Sequence, residues 1–288
     1  MAFPHIAILG VGLLGGSLGL AAKSKWPDVR VTGYGHRKST LDVACEIGAI
    51  DAGHEDVAAA VRGADLVVLC TPVGLFSSLL REIAPHLKHG AIVTDVGSTK
   101  RSIVTTAEAT LPAHARFVGS HPMAGSEKRG VEFARTELFA GAVCILTPSA
   151  LTDPVALALV EQFWRDLRMR TTRLSPDDHD RLLADVSHLP HAVAAALIAI
   201  QDDRALALCG KGFLDTTRIG GGDGGLWRDI FIDNREHLVA SVGKLRGQLD
   251  HLLGLLDGDG AALAVWLDAA AARREAQVLQ KLREVTPD

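Results

Sequence analysis

Paired cysteines are missing from this chain. Cys45, Cys70, Cys144 and Cys209 are scattered through 288 residues without metal-ligand or paired spacing. That excludes a disulfide framework and fits a reducing compartment. Cys70 and Cys144 fall inside apolar, strand-like runs, where buried thiols are common. Runs of lysine and arginine are also missing, and 30 basic against 34 acidic side chains leave a formal net charge of -4. Neither nucleic acid nor a phospholipid surface is therefore an expected partner. The N-terminus has no basic n-region, apolar h-region or cleavage site. No run of 18 uncharged apolar residues occurs, so no membrane partner is expected and the chain reads as cytoplasmic.

What is present is an ample apolar fraction, 48% against 22% charged, enough for a real core in one large or two smaller domains. Through residue 120, short apolar runs at 5–9, 29–34, 65–70, 90–95 and 115–119 alternate with helix-like stretches at 13–25, 39–48, 73–84 and 99–110. The runs are rich in Val and Ile with few polar interruptions, as in a parallel sheet covered on both faces. Two further strand candidates, 142–146 and 169–174, flank a helical 153–167. This rhythm predicts an α/β fold, an N-terminal Rossmann-like doubly wound sheet. After Ser175-Pro176, a helix cap followed by proline at the first helical position, no strand pattern recurs. The reading is a dinucleotide-binding domain over 1–174 and an all-helical domain for substrate and dimerisation over 175–288. Pro190 is expected to kink the helix that starts at 176 or to divide it. The stretches 229–256 and 261–283 are also helical. Leu238, Val242, Leu245, Leu249, Leu252 and Leu256 form a long apolar stripe, suited either to an internal core or to the second subunit of a homodimer.

Gly10-Val11-Gly12-Leu13-Leu14-Gly15 follows the first strand and opens a helix. In that setting the first glycine makes the turn, the second admits a pyrophosphate and the third lets helix and strand pack. The end of the second strand carries no Asp or Glu for a free ribose 2′-hydroxyl. Gly35 stands there, followed by His36, Arg37, Lys38, Ser39 and Thr40. Two cations with hydroxyl donors suit a 2′-phosphate, so NADP is the favoured cofactor and NAD the alternative. The competing reading is a solvated charged loop. Cys70-Thr71-Pro72 and the segment 95–100 lie at carboxyl ends of strands, where ligands bind in this architecture. Ser98 there is either a hydroxyl facing the site or a helix cap.

His121, in Gly119-Ser120-His121-Pro122-Met123-Ala124-Gly125-Ser126-Glu127, follows a strand and is poorly explained as core. A proton-handling histidine is the natural companion of hydride transfer. His188 and His191 straddle Pro190, with His179 and Asp180 upstream. Their spacing matches no compact zinc motif, and no metal is expected. Arg218, before the glycine-rich 220–225, is placed to clamp a carboxylate, or else to pair with Asp215.

Together the glycine motif, DVGSTK (95–100), GSHPMAGSE (119–127), HD (179–180), SHLPH (187–191) and DTTRI…LWRDI…N (215–234) resemble the prephenate/arogenate dehydrogenase family. The resemblance implies oxidative decarboxylation of a cyclohexadienol that carries a ring carboxylate. It assigns His121 to the hydroxyl proton, with Ser98 in support. It puts Arg218 and His191 on substrate carboxylate or side-chain groups, and His188, His179 and Asp180 in the surrounding polar network. Trp227 becomes a pocket wall, or simply core. Ser126 and Glu127 are candidates for telling the amino group of arogenate from the keto group of prephenate. Loop 220–225 is richer in glycine than the usual family segment. The length leaves no room for the fused mutase or regulatory domains of some relatives, so feedback by tyrosine is expected at the active site. Two rivals are a hydroxy-acid dehydrogenase using a helix lysine, for which only Lys211 is at hand, and a nucleotide sensor without catalysis.

Overall fold

A computed structural model describes residues 2–126 and 128–285, apart from the side chains of 281–285. The chain forms two compact units, Met1–Arg235 and Glu236–Asp288.

The first unit is built on eight strands: β1 (His5–Leu9), β2 (Arg30–Tyr34), β3 (Ala52–His54), β4 (Leu66–Leu69), β5 (Ile92–Asp95), β6 (Arg116–Pro122), β7 (Val143–Thr147) and β8 (Arg170–Arg173). Their spatial order is β3-β2-β1-β4-β5-β6-β7-β8. The chain runs outward from β1 to β3 and then returns to the other side of β1, so the switch point lies between β1 and β4. Ligands of such sheets bind beyond the carboxyl ends there. All pairings are parallel except β6 with β7, which is antiparallel and in register at His121 opposite Ile145.

Alternation within each strand explains why both faces are covered. In β1, Ile6 and Ile8 join one apolar cluster with Leu18, Val31, Val68 and Trp164. Ala7 and Leu9 join the other, with Val67, Leu69, Phe76, Leu80 and Ile103. Side chains at successive strand positions point to opposite faces, and helices close both. These helices are α1 (Leu13–Lys25), α2 (Lys38–Glu46), α3 (Val57–Val61), α4 (Phe76–Ile83), α5 (Arg101–Thr110) and α6 (Pro154–Asp166). Strand β3 and helix α3 were not expected. At three and five residues they are too short for their periodicity to be read.

A helical layer follows: α7 (Pro176–Leu183), α8 (Leu189–Ala199), α9 (Asp203–Leu206), α10 (Lys211–Thr217) and α11 (Gly224–Asp233). Ser175 caps α7 by accepting from the N–H of Asp178 at 3.0 Å, a contribution of about 1 kcal/mol. Between α7 and α8 the helix widens into a π turn over Ala184–His188. Pro190 follows in the first turn of α8, so the disturbance precedes the proline. The wider turn makes room for a ring that would otherwise press on the preceding turn of backbone. The run Pro176–Ala199 is long and apolar enough to cross a membrane, with a mean hydropathy of 1.5 over its best stretch. It nevertheless carries four buried polar side chains, His179, Asp180, His188 and His191.

Secondary structure changes character at 174, whereas compactness divides at 235, so α7–α11 are compact with the sheet. The second unit holds α12 (Arg235–Leu256) and α13 (Ala261–Val285). The helix expected over 229–256 is thus two, separated at Asn234, whose φ of -103° and ψ of 29° leave the helical region. On α12, Leu238 is buried, while Val242, Leu249 and Leu256 are exposed.

Candidate active site

At the nucleotide end the three glycines have separable roles. Gly10 turns at φ +103°, and a Cβ on it would come within 2.8 Å of Cys70 and Thr71 at the end of β4. A Cβ on Gly15 would lie 2.1 Å from the Gly10 carbonyl oxygen, so the close packing of α1 on β1 depends on that glycine. A Cβ on Gly12 would meet nothing within 4 Å. Gly12 is also the N-cap of α1, which has neither a side-chain cap nor an acid in its first turn. Open space, free amide donors and the positive end of a helix suit a pyrophosphate. Leu13 and Leu14 pack on the core beneath this end of the helix.

Beyond β2, residues 36–39 are exposed and α2 starts at Lys38. Arg37 Nε donates to His36 Nε2 at 3.1 Å, and Lys38 Nζ donates to both Asp42 oxygens at 3.0 Å. Thr40 is half-buried. Across the switch point, Cys70 and Thr71 are half-buried and Pro72 is exposed. Burial pushes the Cys70 thiol up, so it is not a thiolate.

A chain of buried polar groups leads from the sheet to His121. Asp95, at the end of β5, pairs with Lys100, both side chains being wholly buried. Asp95 also accepts from the N–H of Gly97 at 2.9 Å and of Ser120 at 3.0 Å. The backbone N–H groups of Lys100 and Arg101 open α5 and donate to Asp180 at 2.7 and 2.8 Å. A carboxylate from α7 thereby caps α5 across space. Ser98 does not cap it: the N-cap is Lys100. Ser98 is half-buried, and its hydroxyl has no hydrogen bond among the described residues.

Asp180 also meets His179 Nδ1 at 2.8 Å, and His179 Nε2 meets His121 Nδ1 at 2.9 Å. His121 lies within β6, which extends past Gly119, so the ring sits on a strand instead of the following loop. Burial, then the neighbouring His179, Lys100 and His188, hold its pKa well below the ordinary imidazole value. His179 is lowered too, chiefly by burial. Burial alone would raise Asp180, but the bonds from His179 and from the α5 amides outweigh it and keep the carboxylate ionised. Proton positions follow. An ionised Asp180 only accepts, so His179 carries its proton on Nδ1 and leaves Nε2 bare. His121 must then donate from Nδ1, and its Nε2 keeps a lone pair. The arrangement leaves His121 Nε2 able to accept a proton.

His188 and His191 are both buried, but their partners differ. His188 Nδ1 faces Asn234 Nδ2 at 3.1 Å, while its Nε2 is buried without a partner among the described residues. Burial pushes the His188 pKa down to about 4. His191 stacks on Trp227, with ring centres 3.5 Å apart at 15°. A Cβ on Gly222 would lie 2.8 Å from His191 Cε1 and 2.5 Å from Trp227 Nε1. Trp227 also packs on the second apolar cluster, so it is at least partly core. Asp223 caps α11 and pairs with Arg129, which ties the glycine-rich turn down.

Arg218 is exposed and has no partner among the described residues; the pairing with Asp215 is not formed. Ser126 is exposed, its hydroxyl accepting from the N–H of Lys128 at 3.1 Å. Glu127 lies outside the described residues. The structure therefore gathers His121, His179 and Asp180 into one hydrogen-bonded chain, with His188 joined to it through Asn234. It leaves Arg218 and Ser126 apart from that chain. Asp95, Lys100 and Asn234 stand inside the sequence motifs, but nothing in their local sequence points to these contacts. A wholly buried lysine has no signature in a single sequence.

Residues 18–173 match the model for the prephenate dehydrogenase nucleotide-binding domain, and 175–268 match that for its dimerization domain. A cyclohexadienyl dehydrogenase of Zymomonas mobilis is 37% identical over 258 residues, covering 85% of this chain and 88% of that one. A prephenate dehydrogenase of Bacillus subtilis is 33% identical, covering 89% and 71%. Among solved structures, Aquifex aeolicus prephenate dehydrogenase in complex with hydroxyphenyl propionate and NAD+ superposes with a TM-score of 0.89 at 33% identity, covering 94% and 97%. Synechocystis arogenate dehydrogenase does so at 0.82 and 33%, covering 95% and 99%. With both of its parts matched, the chain belongs to the prephenate dehydrogenase family of nicotinamide-dependent oxidoreductases.

Proposed function

We propose that this enzyme oxidatively decarboxylates arogenate or prephenate, with NADP as the preferred hydride acceptor. The observation that carries the reading is the Asp180–His179–His121 chain, which leaves a lone pair on His121 Nε2. A bound nicotinamide would supply the hydride acceptor for the carbon bearing the ring hydroxyl. His121 removes the hydroxyl proton, and the positive charge it gains is shared through His179 towards Asp180. The oxidised ring is a conjugated ketone that accepts the electrons of the departing carboxylate, and aromatisation drives loss of CO2. Ser98 would support the hydroxyl. Arg218 and His191 would hold substrate carboxylate or side-chain groups, with Trp227 as wall and Ser126 near the group that distinguishes the two substrates. Gly10, Gly12 and Gly15 would cradle the pyrophosphate.

The NADP preference rests on Gly35 standing where an acid would be, followed by Arg37, Lys38, Ser39 and Thr40. One contact favours the second reading, an NAD-preferring prephenate dehydrogenase: Lys38 is engaged by Asp42. A steady-state assay of both substrates, each with both nucleotides, decides. Turnover with NADP above that with NAD is expected. Strong NAD preference would refute the reading of residues 35–40, and no turnover in any of the four combinations would refute the reaction itself.

A homodimer is proposed from the matched dimerization domain. It would cover the exposed Val239, Leu249, Leu253, Val265 and Leu267 with a second copy of the chain. Sedimentation at micromolar concentration tests it, and a monomer there would count against it.

A further inference from the structure

Asn234 ends α11 and is almost wholly buried. Its side-chain nitrogen donates to the Asp180 carbonyl oxygen at 2.7 Å and faces His188 Nδ1 at 3.1 Å. The carbonyl decides which way the amide points. Turned over, the amide would set its own oxygen against the Asp180 oxygen, acceptor against acceptor. With the NH2 group towards both partners, His188 Nδ1 can only accept. A neutral imidazole that accepts at Nδ1 carries its proton on Nε2. That Nε2 is buried without a partner among the described residues, and an unpaired buried donor is costly.

We propose that Asn234 is a positioning residue which holds His188 as the Nε2–H tautomer, so that His188 donates a hydrogen bond to an oxygen of the bound substrate. Residue 180 thereby sets two histidines to opposite purposes. Its carboxylate, through His179, leaves a bare nitrogen on His121, a proton acceptor. Its carbonyl, through Asn234, leaves a proton on His188, a donor. A donor aimed at an oxygen that loses its proton stabilises the charge developing there, and the ring is already oriented for it. The low pKa of His188 agrees, since it keeps the ring neutral through the physiological range. The role of His188 in turnover rests on the function proposed above; its tautomer does not.

The tautomer is read directly from histidine side-chain 15N shifts in the ligand-free protein, with His188→Gln identifying the signal. The expected result is a protonated Nε2 and a bare Nδ1 in the wild type. In Asn234→Asp the carboxylate accepts from Nδ1 and reverses the pattern, and kcat falls by about 10²-fold, the loss typical of one preorganised donor. Should Asn234→Asp not fold, Asn234→Ala serves through a kinetic cycle with His188→Gln. A glutamine amide brings its own N–H, so Asn234→Ala is expected to cost much less in the His188→Gln background than in the wild type. A bare Nε2 in the wild type, an unchanged tautomer in Asn234→Asp, or an equal cost in both backgrounds overturns the proposal. Absence of turnover with a protonated Nε2 would instead count against the proposed reaction.

Discussion

His121 Nδ1 and His179 Nε2 lie 2.9 Å apart, and the other nitrogen of His179 is held by Asp180 at 2.8 Å. One proton sits in each gap, and the sequence of donors leaves His121 Nε2 free to accept.

Replacing His121 with Asn removes that acceptor while leaving the nucleotide turn untouched. Turnover is expected to fall by about 10²- to 10⁴-fold, with unchanged NADPH affinity in a fluorescence titration. Wild-type turnover in the variant would end the assignment.

The low pKa of His121, caused first by burial and then by its neighbours, gives the pH profile a sign. The base works when neutral. kcat/KM should therefore stay flat through neutral pH and decline only in acid, well below 6.5. A limb centred near 6.5 or higher would mean that the ring is not desolvated.

Stability follows from His188. Its folded pKa, pushed down to about 4 by burial, lies below that of the unfolded imidazole. On acidification the unfolded chain takes up this proton first. The contribution of neutral His188 is then complete above about pH 6.5 and is lost as pH falls towards 4, by at most about 3 kcal/mol. Urea midpoints at pH 7.5 and 5 should differ less in His188→Gln than in the wild type. An identical difference would show that another group governs the acid loss.

Gly12 and Gly15 should respond oppositely to alanine. At Gly12 the backbone is open to a methyl group, with φ -97° and ψ -150°. Gly12→Ala is expected to keep the wild-type Tm and raise the nucleotide KM, because the methyl occupies the approach to the helix N-terminus. At Gly15 the methyl meets a carbonyl oxygen at 2.1 Å, and overpacking of this kind costs about 1–3 kcal/mol. Equal thermal stability of the two variants would contradict the division of roles.

The wholly buried Asp95–Lys100 pair makes a stability prediction. Asp95→Asn strands a buried ammonium and should cost about 3–5 kcal/mol, while Asp95→Asn with Lys100→Met should cost less than the single change. Urea unfolding measures both, and a double variant no more stable than the single one would show that the pairing is not what matters.

Much of this protein was legible in one dimension. Val- and Ile-rich runs bounded by turn residues announced the sheet, because a strand buried on both faces has no room for polar side chains. Ser175-Pro176 announced α7, because cap chemistry is local. The glycine motif and the histidine motifs marked both ends of the candidate site. Strand β3 and α3 were too short to carry a period, and Asn234 separates two helices that share one helical pattern. Ser98, read as either a cap or a site hydroxyl, was freed from capping only when Asp180 was seen to take the amides of α5 from another helix.

Sequence alone determined the alternation of strands and helices, the turn at Gly10 and which histidines stand as candidates for proton handling, since each depends on neighbours a few positions away. Tertiary structure alone decided which partner meets the Nδ1 nitrogen of His121 and of His188. That choice depends on partners 46 and 58 positions distant in the chain, Asn234 for His188 and His179 for His121. A histidine's chemistry at neutral pH is set by what its other nitrogen touches, and only folding brings that contact about.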